Sequence, residues 1–426
     1  MKKFKKIFAA LTIFYFSLLL VSFSVPLYRK IAPVAIMLFF LAWCAYIIAE
    51  RKKIHFKFNY TSLFSVLLYA VIAISLLYTT DIKAGLFDLE VKFSLLFFPV
   101  LMSFTNDFIS EKKRFNNVLS AFVLGTFTIT IVCLIIAFYR CFTIFFTVDF
   151  FTYTYLASFH HPTYFAMFIN LSVTVLLSRL IERWRELNLK KKTGISVLII
   201  YFISFILMLN SKAGILVLFL NFIGIIFYYT LIRKKIYVFV LLIAAVSACS
   251  FLVVRMVPFV NYRFQEMSSS LNNIKAINKN PDNDSEQRLL IWKYSLQIIS
   301  DTWPTGVGAG DVRPSLNKTY LDNGFARGFE KNLNCHNQFL QIFVSTGIIG
   351  FLLLILLLGS MLIISIKNRN IVLFSFFIII TGNMLTESIL ETQAGTVFFG
   401  FFVAFLVNFQ SGFIGKVHRS ECSPQK

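Results

Sequence analysis

"KKKTGISVLIIYFISFILMLNSKAGILVLFLNFIGIIFYYTLIRKK", residues 190–235, decides the fold class. Two apolar runs, 194–210 and 213–232, are parted by a very short turn carrying Lys212 and are closed at both ends by basic clusters. Each run has about the length of helix that crosses roughly 30 Å of hydrocarbon. Backbone in lipid has no water to bond, so a crossing segment of this kind must satisfy its own N–H and C=O groups as a helix.

The pattern continues outward in both directions. Of 426 residues, 58% are hydrophobic and 17% aromatic, and the apolar residues arrive in similar blocks separated by short charged clusters. This excludes a soluble globular chain and predicts an all-α, polytopic transmembrane helix bundle. Twelve spans are expected, near residues 7–25, 31–49, 62–79, 91–105, 117–139, 163–179, 194–210, 213–232, 236–257, 338–365, 371–387 and 395–411. The 52 phenylalanines carry no functional weight, since lipid-facing positions accept Phe freely. The N-terminal "KKFKKIFAALTIFYFSLLLVSFS" has the charge and apolar run of a signal peptide, but with so many spans following it reads as a retained first helix.

Charge sets the expected orientation. With the N-terminus inside, 25 of the 41 Lys and Arg fall in cytoplasmic segments and six in short outer loops, the other ten lying in one long outer loop that the positive-inside rule does not count. Both termini are therefore expected in the cytoplasm. The net charge of +21 is accounted for by topology and anionic lipid headgroups, so membrane lipids and not nucleic acid are its expected partners. Three regions follow: an N-terminal bundle of about nine spans over 1–257, a long, partly helical extracytoplasmic loop over 258–336, and about three further spans with a cytoplasmic tail over 337–426.

The loop between spans nine and ten is the only extended polar segment, and soluble chemistry must sit there or at the adjoining helix mouths. Within it Asp284 or Ser285 can cap a helix on which Leu289, Trp292, Leu296 and Ile299 recur at spacings of three and four. That predicts an amphipathic helix lying on the membrane surface or on the bundle. Arg288 stands in its first turn, where the helix dipole mildly disfavours a cation; it reads either as a lipid phosphate anchor or as a group that meets another anion. "PTGVGAGDV", 304–312, is not a dinucleotide fingerprint; it reads as a tight turn bringing backbone close to a ligand or a neighbouring helix. The six cysteines form no metal or redox pattern; Cys141 and Cys335 share the outer face, and the reading preferred over a disulfide is a small apolar residue.

Of five histidines, His160, His161 and His336 fall on the outer side. His160 and His161 open span six before Pro162, and His336 opens span ten. At a helix N-terminus the positive dipole end favours the neutral imidazole, the state of a general base; the plainer reading is an interfacial histidine bonded to a loop carbonyl. Lys212 and Arg140 supply cations on the same side. Glu387 and Glu391, four apart, either orient a loop arginine or face water.

His336-Asn337, nine residues, Gly347, two residues and Gly350 resembles the signature of the O-antigen ligase and O-antigen polymerase superfamily, at the end of a long periplasmic loop. The resemblance extends to "NSKAGIL" (210–216), similar to a Ser-Arg-x-Gly motif with Lys212 in place of the arginine, to Arg288 with Trp292 and the Gly-rich turn after it, and to "HPTYFA" (161–166). It implies an inverting glycosyltransferase, working without metal or other cofactor, that takes a polyprenyl-diphosphate-linked glycan at the outer side of a bacterial inner membrane. On that reading Arg288 and Lys212 clamp the diphosphate, with Arg140 a weaker candidate. His336 deprotonates or orients the acceptor hydroxyl, Asn337 hydrogen-bonds nearby, and His161 joins the substrate-binding set.

A ligase would pass the glycan to a lipid A-core sugar, and a polymerase to another lipid-linked repeat. The single large loop before His336 and the number of spans favour the ligase; a protein O-oligosaccharyltransferase is a further relative. From other classes, a lipid-linked-sugar flippase would place charges in mid-span and repeat its halves, and a zinc site from His160, His161 and His336 would lack carboxylate or thiolate partners at close spacing.

Overall fold

The computed structural model describes residues 2–28, 30–50, 55–105, 111–232, 237, 240–241, 244, 280–281 and 283–409. The N-terminal part comprises α1 (Lys2–Ser24), α2 (Ile31–Glu50), α3 (Tyr60–Ile74), α4 (Ile82–Lys92), α5 (Ser94–Ser103), α6 (Lys112–Thr143), α7 (Pro162–Glu182), α8 (Leu189–Met208) and α9 (Lys212–Ile232). After the gap come α10 (Asp284–Asp301), α11 (Val312–Asp322), α12 (Ala326–Glu330), α13 (Gln338–Lys367), α14 (Ile371–Met384) and α15 (Gln393–Asn408). A two-residue antiparallel bridge, His55–Phe56 with Phe104–Thr105, is the other regular pairing.

Every expected span but one falls on a described helix; the ninth, 236–257, lies almost wholly outside the described residues, as does the boundary at 257. Among the described residues seven helices are long and apolar enough to cross a membrane, and the runs Ala10–Ser24, Ile371–Met384 and Gln393–Asn408 are shorter apolar helices. The fourth expected span, 91–105, is different. Its apolar part is α5, ten residues long, which at 1.5 Å per residue reaches about half of the hydrocarbon thickness. The charged residues of α4 precede it, so the apolar run could not extend toward its N-terminal side.

Two helices form the centre. In α7 the residues from Phe165 to Leu176 are all buried, and in α15 those from Gly395 to Leu406. Lipid is as apolar as a leucine side chain, so helices are held together by close packing and interhelical hydrogen bonds. Both are present. Asn170 donates from Nδ2 to the Gly214 carbonyl at 3.2 Å, Ser172 to Thr126 Oγ1 at 2.9 Å, and Asn221 to Thr174 Oγ1 at 2.8 Å. Gly214 lets α9 approach α7 so closely that a Cβ there would lie 2.4 Å from that of Ala166.

The described part of the long loop builds a second, smaller core from Leu290, Ile291, Tyr294, Ile298, Val312, Leu316, Tyr320, Phe325, Cys335 and Val344. The rings of Tyr320 and Phe325 meet edge to face at 5.2 Å, with Tyr294 against both. This core corrects the expected face of α10. The helix buries Leu290, Ile291, Tyr294 and Ile298, whereas Leu296 of the expected stripe is 57% exposed. Two stripes of apolar residues share this helix at helical spacing, and the one carrying Tyr294 wins because it can pair with the aromatic residues of α11 and the turn after it. The cap is Asn283, whose Oδ1 accepts from Ser285 N at 3.0 Å, and not Asp284 or Ser285.

The Gly-rich turn joins this core to the bundle. Val307 N and Gly308 N donate to the carbonyls of Val344 and Ser345 at 2.8 and 2.9 Å, and Ile348 N donates to the Pro304 carbonyl at 3.0 Å. For this α13 breaks at Gly347, which takes φ 64° and ψ −155°. On the other side Asp311 accepts from Thr80 N at 2.6 Å, Asp81 N at 2.9 Å and Thr80 Oγ1 at 2.8 Å. The turn thus brings backbone against neighbouring elements, one of the two uses expected of it.

A side chain at 347 has no allowed place. Its Cβ would lie 1.9 Å from the Pro304 carbonyl oxygen, and the backbone angles belong to glycine. Gly347→Ala is therefore expected to lose at least about 1–3 kcal/mol of stability from the backbone alone. Thermal unfolding of the detergent-solubilised protein reads this, and an unchanged midpoint would argue against the break.

Candidate functional site

The site begins with the residues that start α13. Asn337, extended at φ −160°, caps the helix, its Oδ1 accepting from Phe339 N at 2.9 Å and Leu340 N at 3.2 Å. Its Nδ2 donates to the Leu385 carbonyl at 3.3 Å, and Gln338 Oε1 accepts from Leu390 N at 2.7 Å. Two adjacent amides thus lace the segment between α14 and α15 to the first turn of α13. Tyr164 adds a bond from its hydroxyl to the Ser388 carbonyl at 3.5 Å. Asn337, expected to meet substrate, has both ends of its amide engaged in this scaffold.

That lacing sets the position of Glu387. Its side chain is 8% exposed, with Oε1 2.7 Å from Arg288 Nη2 and Oε2 3.1 Å from His336 Nδ1. Burial raises the carboxyl pKa, but the hydrogen bond and charge of His336, with Arg288 and His161, outweigh it and hold the pKa below the ordinary value. Glu387 is therefore the carboxylate that orients the loop arginine, one of the two readings open for it. It is also the partner of His336 that the sequence did not identify.

The carboxylate fixes the tautomer of the histidine. An ionised Glu387 can only accept, so His336 Nδ1 carries a proton, and whenever the ring is neutral its lone pair lies on Nε2. His336 holds φ at 43°, a region disfavoured for L-residues other than Gly, Asn and Asp and found mainly where the surroundings over-determine it. Here the surroundings are the cap at 337, the Asn334 Oδ1 that accepts from His336 N at 3.0 Å, and Glu387.

Other expected residues divide. His161 caps α7, its Nδ1 accepting weakly from Thr163 N at 3.4 Å, and it lies close enough to Glu387, Arg288 and His336 to feel their charge. Lys212 is exposed at the first residue of α9. The preceding Ser211 lies 3.4 Å, hydroxyl to hydroxyl, from Thr163, so Lys212 and His161 stand on neighbouring helix starts. Arg140 does not join them. At the end of α6 its Nη1 donates to the Tyr155 carbonyl at 3.1 Å. His160 turns its Nε2 to the carbonyls of Pro26, at 3.1 Å, and Leu27. It is the interfacial histidine bonded to loop carbonyls, and it does not converge with His161 and His336 as the zinc reading required. Cys141 and Cys335 are free and buried, and Ser295 donates to Cys335 Sγ at 3.4 Å.

A residue absent from the sequence reading also belongs to the scaffold. Lys92 at the end of α4 is 3% exposed in its side chain and pairs with Asp88 and, at 2.7 Å, with Glu391. Each of the two glutamates thus has its own cation. The pair at 387 and 391 carried half of this signal; Lys92, at the edge of an apolar run, carried none.

The depressed pKa of Glu387 has a consequence for stability. The folded value lies below the unfolded one, so its contribution is fully present above the unfolded pKa of about 4.3 and is lost as pH falls through the folded value. Glu387→Gln is expected to flatten the fall of the unfolding midpoint in that acid range, and an unaltered profile would show that the carboxylate is not depressed.

Three helix starts, those of α7, α9 and α13, therefore lie at one end of the bundle with His161, Lys212 and His336 upon them. Backbone N–H groups at such starts, with Arg288 alongside, favour an anion. Residues 197–355, which contain the Lys212 turn, α10, the Gly-rich turn and His336, match the family model described as O-antigen ligase. A comparison with curated proteins found no match.

Proposed function

We propose, for a chain that belongs through residues 197–355 to the O-antigen ligase/polymerase superfamily, the following reaction: transfer of a glycan from a polyprenyl diphosphate to a hydroxyl of a lipid A-core sugar. The observation that supports it best is the His336–Glu387–Arg288 cluster, which leaves an imidazole lone pair beside a cation at the mouth of a multi-pass membrane protein.

The chemistry follows from the charges. A sugar diphosphate has a good leaving group, so the transition state needs its growing negative charge met and the attacking hydroxyl relieved of a proton. His336 Nε2 takes that proton as the acceptor oxygen bonds to the anomeric carbon. The bond from that carbon to the diphosphate oxygen breaks on the opposite face, which inverts the configuration. The imidazolium so formed is held by Glu387, which acts as a positioning residue. Arg288 has five N–H donors; Glu387 engages Nη2, and the side chain, 31% exposed, keeps other donors for phosphate. Lys212 and the three helix starts share the remaining charge, so the reaction is proposed to run without a metal ion. Lys212 cannot make the planar two-bond contact of an arginine, and it serves as a point charge.

The basic residues of the short loops support an inner-membrane orientation with both termini cytoplasmic and His336 on the periplasmic side. The loop core of α10 to α12 would then cover the site, with the polyprenyl tail against the bundle. A deletion strain tests the reaction. Loss of all capped surface polysaccharide with accumulation of full-length lipid-linked chains is the expected result. Accumulation of single repeats would instead make the protein the polymerase, and transport by reconstituted vesicles without transfer would make it a flippase.

A further inference from the structure

At the end of α7 opposite His161 lies a cavity of about 40 Å³, lined among others by Asn116, Arg179, Glu182, Arg183, Arg369 and Asn370. It has room for about three water molecules, which is close to the bulk of one phosphoryl group. Three guanidinium groups line it against one carboxylate. Among the described residues no ion pair engages any of the three arginines. Arg179 is held by neutral acceptors, its Nη2 donating to the Asn116 carbonyl at 2.7 Å and Ser120 Oγ at 2.8 Å, so its charge stays uncompensated. Arg183 stands four residues on, where like charges on one helix face repel.

The helix dipoles place each cation, but not their meeting in one cavity. Arg179 and Arg183 end α7, where a cation is favoured. Arg369 follows the end of α13: its N–H donates to the Ile366 carbonyl at 3.1 Å and that of Asn370 to the Ser365 carbonyl at 2.9 Å, so its φ of 49° is the left-handed residue of a helix C-terminal cap. Two helix ends thus bring three cations to one cavity against the single carboxylate of Glu182, an excess of positive charge that suits an anion between them.

We propose that this cavity binds a phosphoryl group, with the half-buried Arg183 and the exposed Arg369 as its ligands and Arg179 beside them. The orientation drawn from the charge pattern makes this the cytoplasmic mouth of the bundle, where an anionic phospholipid headgroup presents that chemistry; inorganic phosphate presents it as well. The site is independent of the transfer reaction and lies at the other end of the helices that carry it.

Native mass spectrometry of the delipidated full-length protein in neutral detergent tests it, with phosphatidylglycerol and inorganic phosphate as separate probes. One tightly held equivalent is expected. Arg183→Gln and Arg369→Gln are each expected to weaken it about tenfold or more, as the loss of a charge-assisted hydrogen bond does. The two residues lie on different elements, and circular dichroism selects the variants that fold. Retention of phosphatidylglycerol alone assigns a lipid headgroup, and retention of both probes assigns any phosphate. No retained equivalent of either, or undiminished retention in a folded variant, overturns the proposal.

Discussion

Replacement of His336 by asparagine is expected to lower the proposed glycan transfer in reconstituted vesicles by about 10²–10⁴-fold, the contribution of one positioned general base. Asparagine is the better replacement than alanine because position 336 has φ at 43°, a conformation that asparagine tolerates at little cost. His336→Ala removes the same base and adds backbone strain, so the two variants should agree in rate and differ in stability. That comparison separates chemistry from folding. Normal transfer by a folded, inserted His336→Asn protein would mean that the imidazole takes no proton, and the assignment of the Nε2 lone pair would fall with it.

The second large effect belongs to Arg288. Arg288→Ala is expected to reduce kcat/KM by about 10²–10³-fold, as the removal of one preorganised donor from a developing oxyanion does. Arg288→Lys should recover part of this, since it restores charge without the planar fork. A cycle with Glu387→Gln then distinguishes the guanidinium's two contacts. Were Arg288 present only to neutralise Glu387, its loss would cost little once the carboxylate had become an amide. Direct contact with the diphosphate predicts a further loss of at least tenfold in the Glu387→Gln background. The distances favour this outcome, because Glu387 Oε1 occupies Nη2 at 2.7 Å and the guanidinium still has an open side.

How much of this could be read beforehand depended on distance along the chain. Apolar runs such as 194–210 and 213–232 declare a helix locally, because lipid imposes length and composition on each one separately. Runs beside charged residues declare less, and 91–105 contained a helix of ten residues where a full span was expected. For α10 the spacing of apolar residues was right for a helix, but its buried face was decided by Tyr320 and Phe325, which lie in other elements. The site divides in the same way. His336 and Arg288 stood out through motif and position. The Nδ1 contact with Glu387 spans 51 residues and the Lys92 pair with Glu391 joins distant helices, and neither leaves a periodicity in the sequence. Asn337 was noticed for its place beside His336, while its use as a cap for α13 required the geometry of the following turn.

The carboxylate between His336 and Arg288 comes from a later segment of the chain than either of them, 99 residues beyond the arginine. During synthesis the guanidinium and the imidazole therefore leave the ribosome before the carboxylate that joins them exists. A nascent chain that stops after α13 has the imidazole without the group that sets its proton, so on the proposed mechanism a product terminated before Glu387 is expected to be inactive.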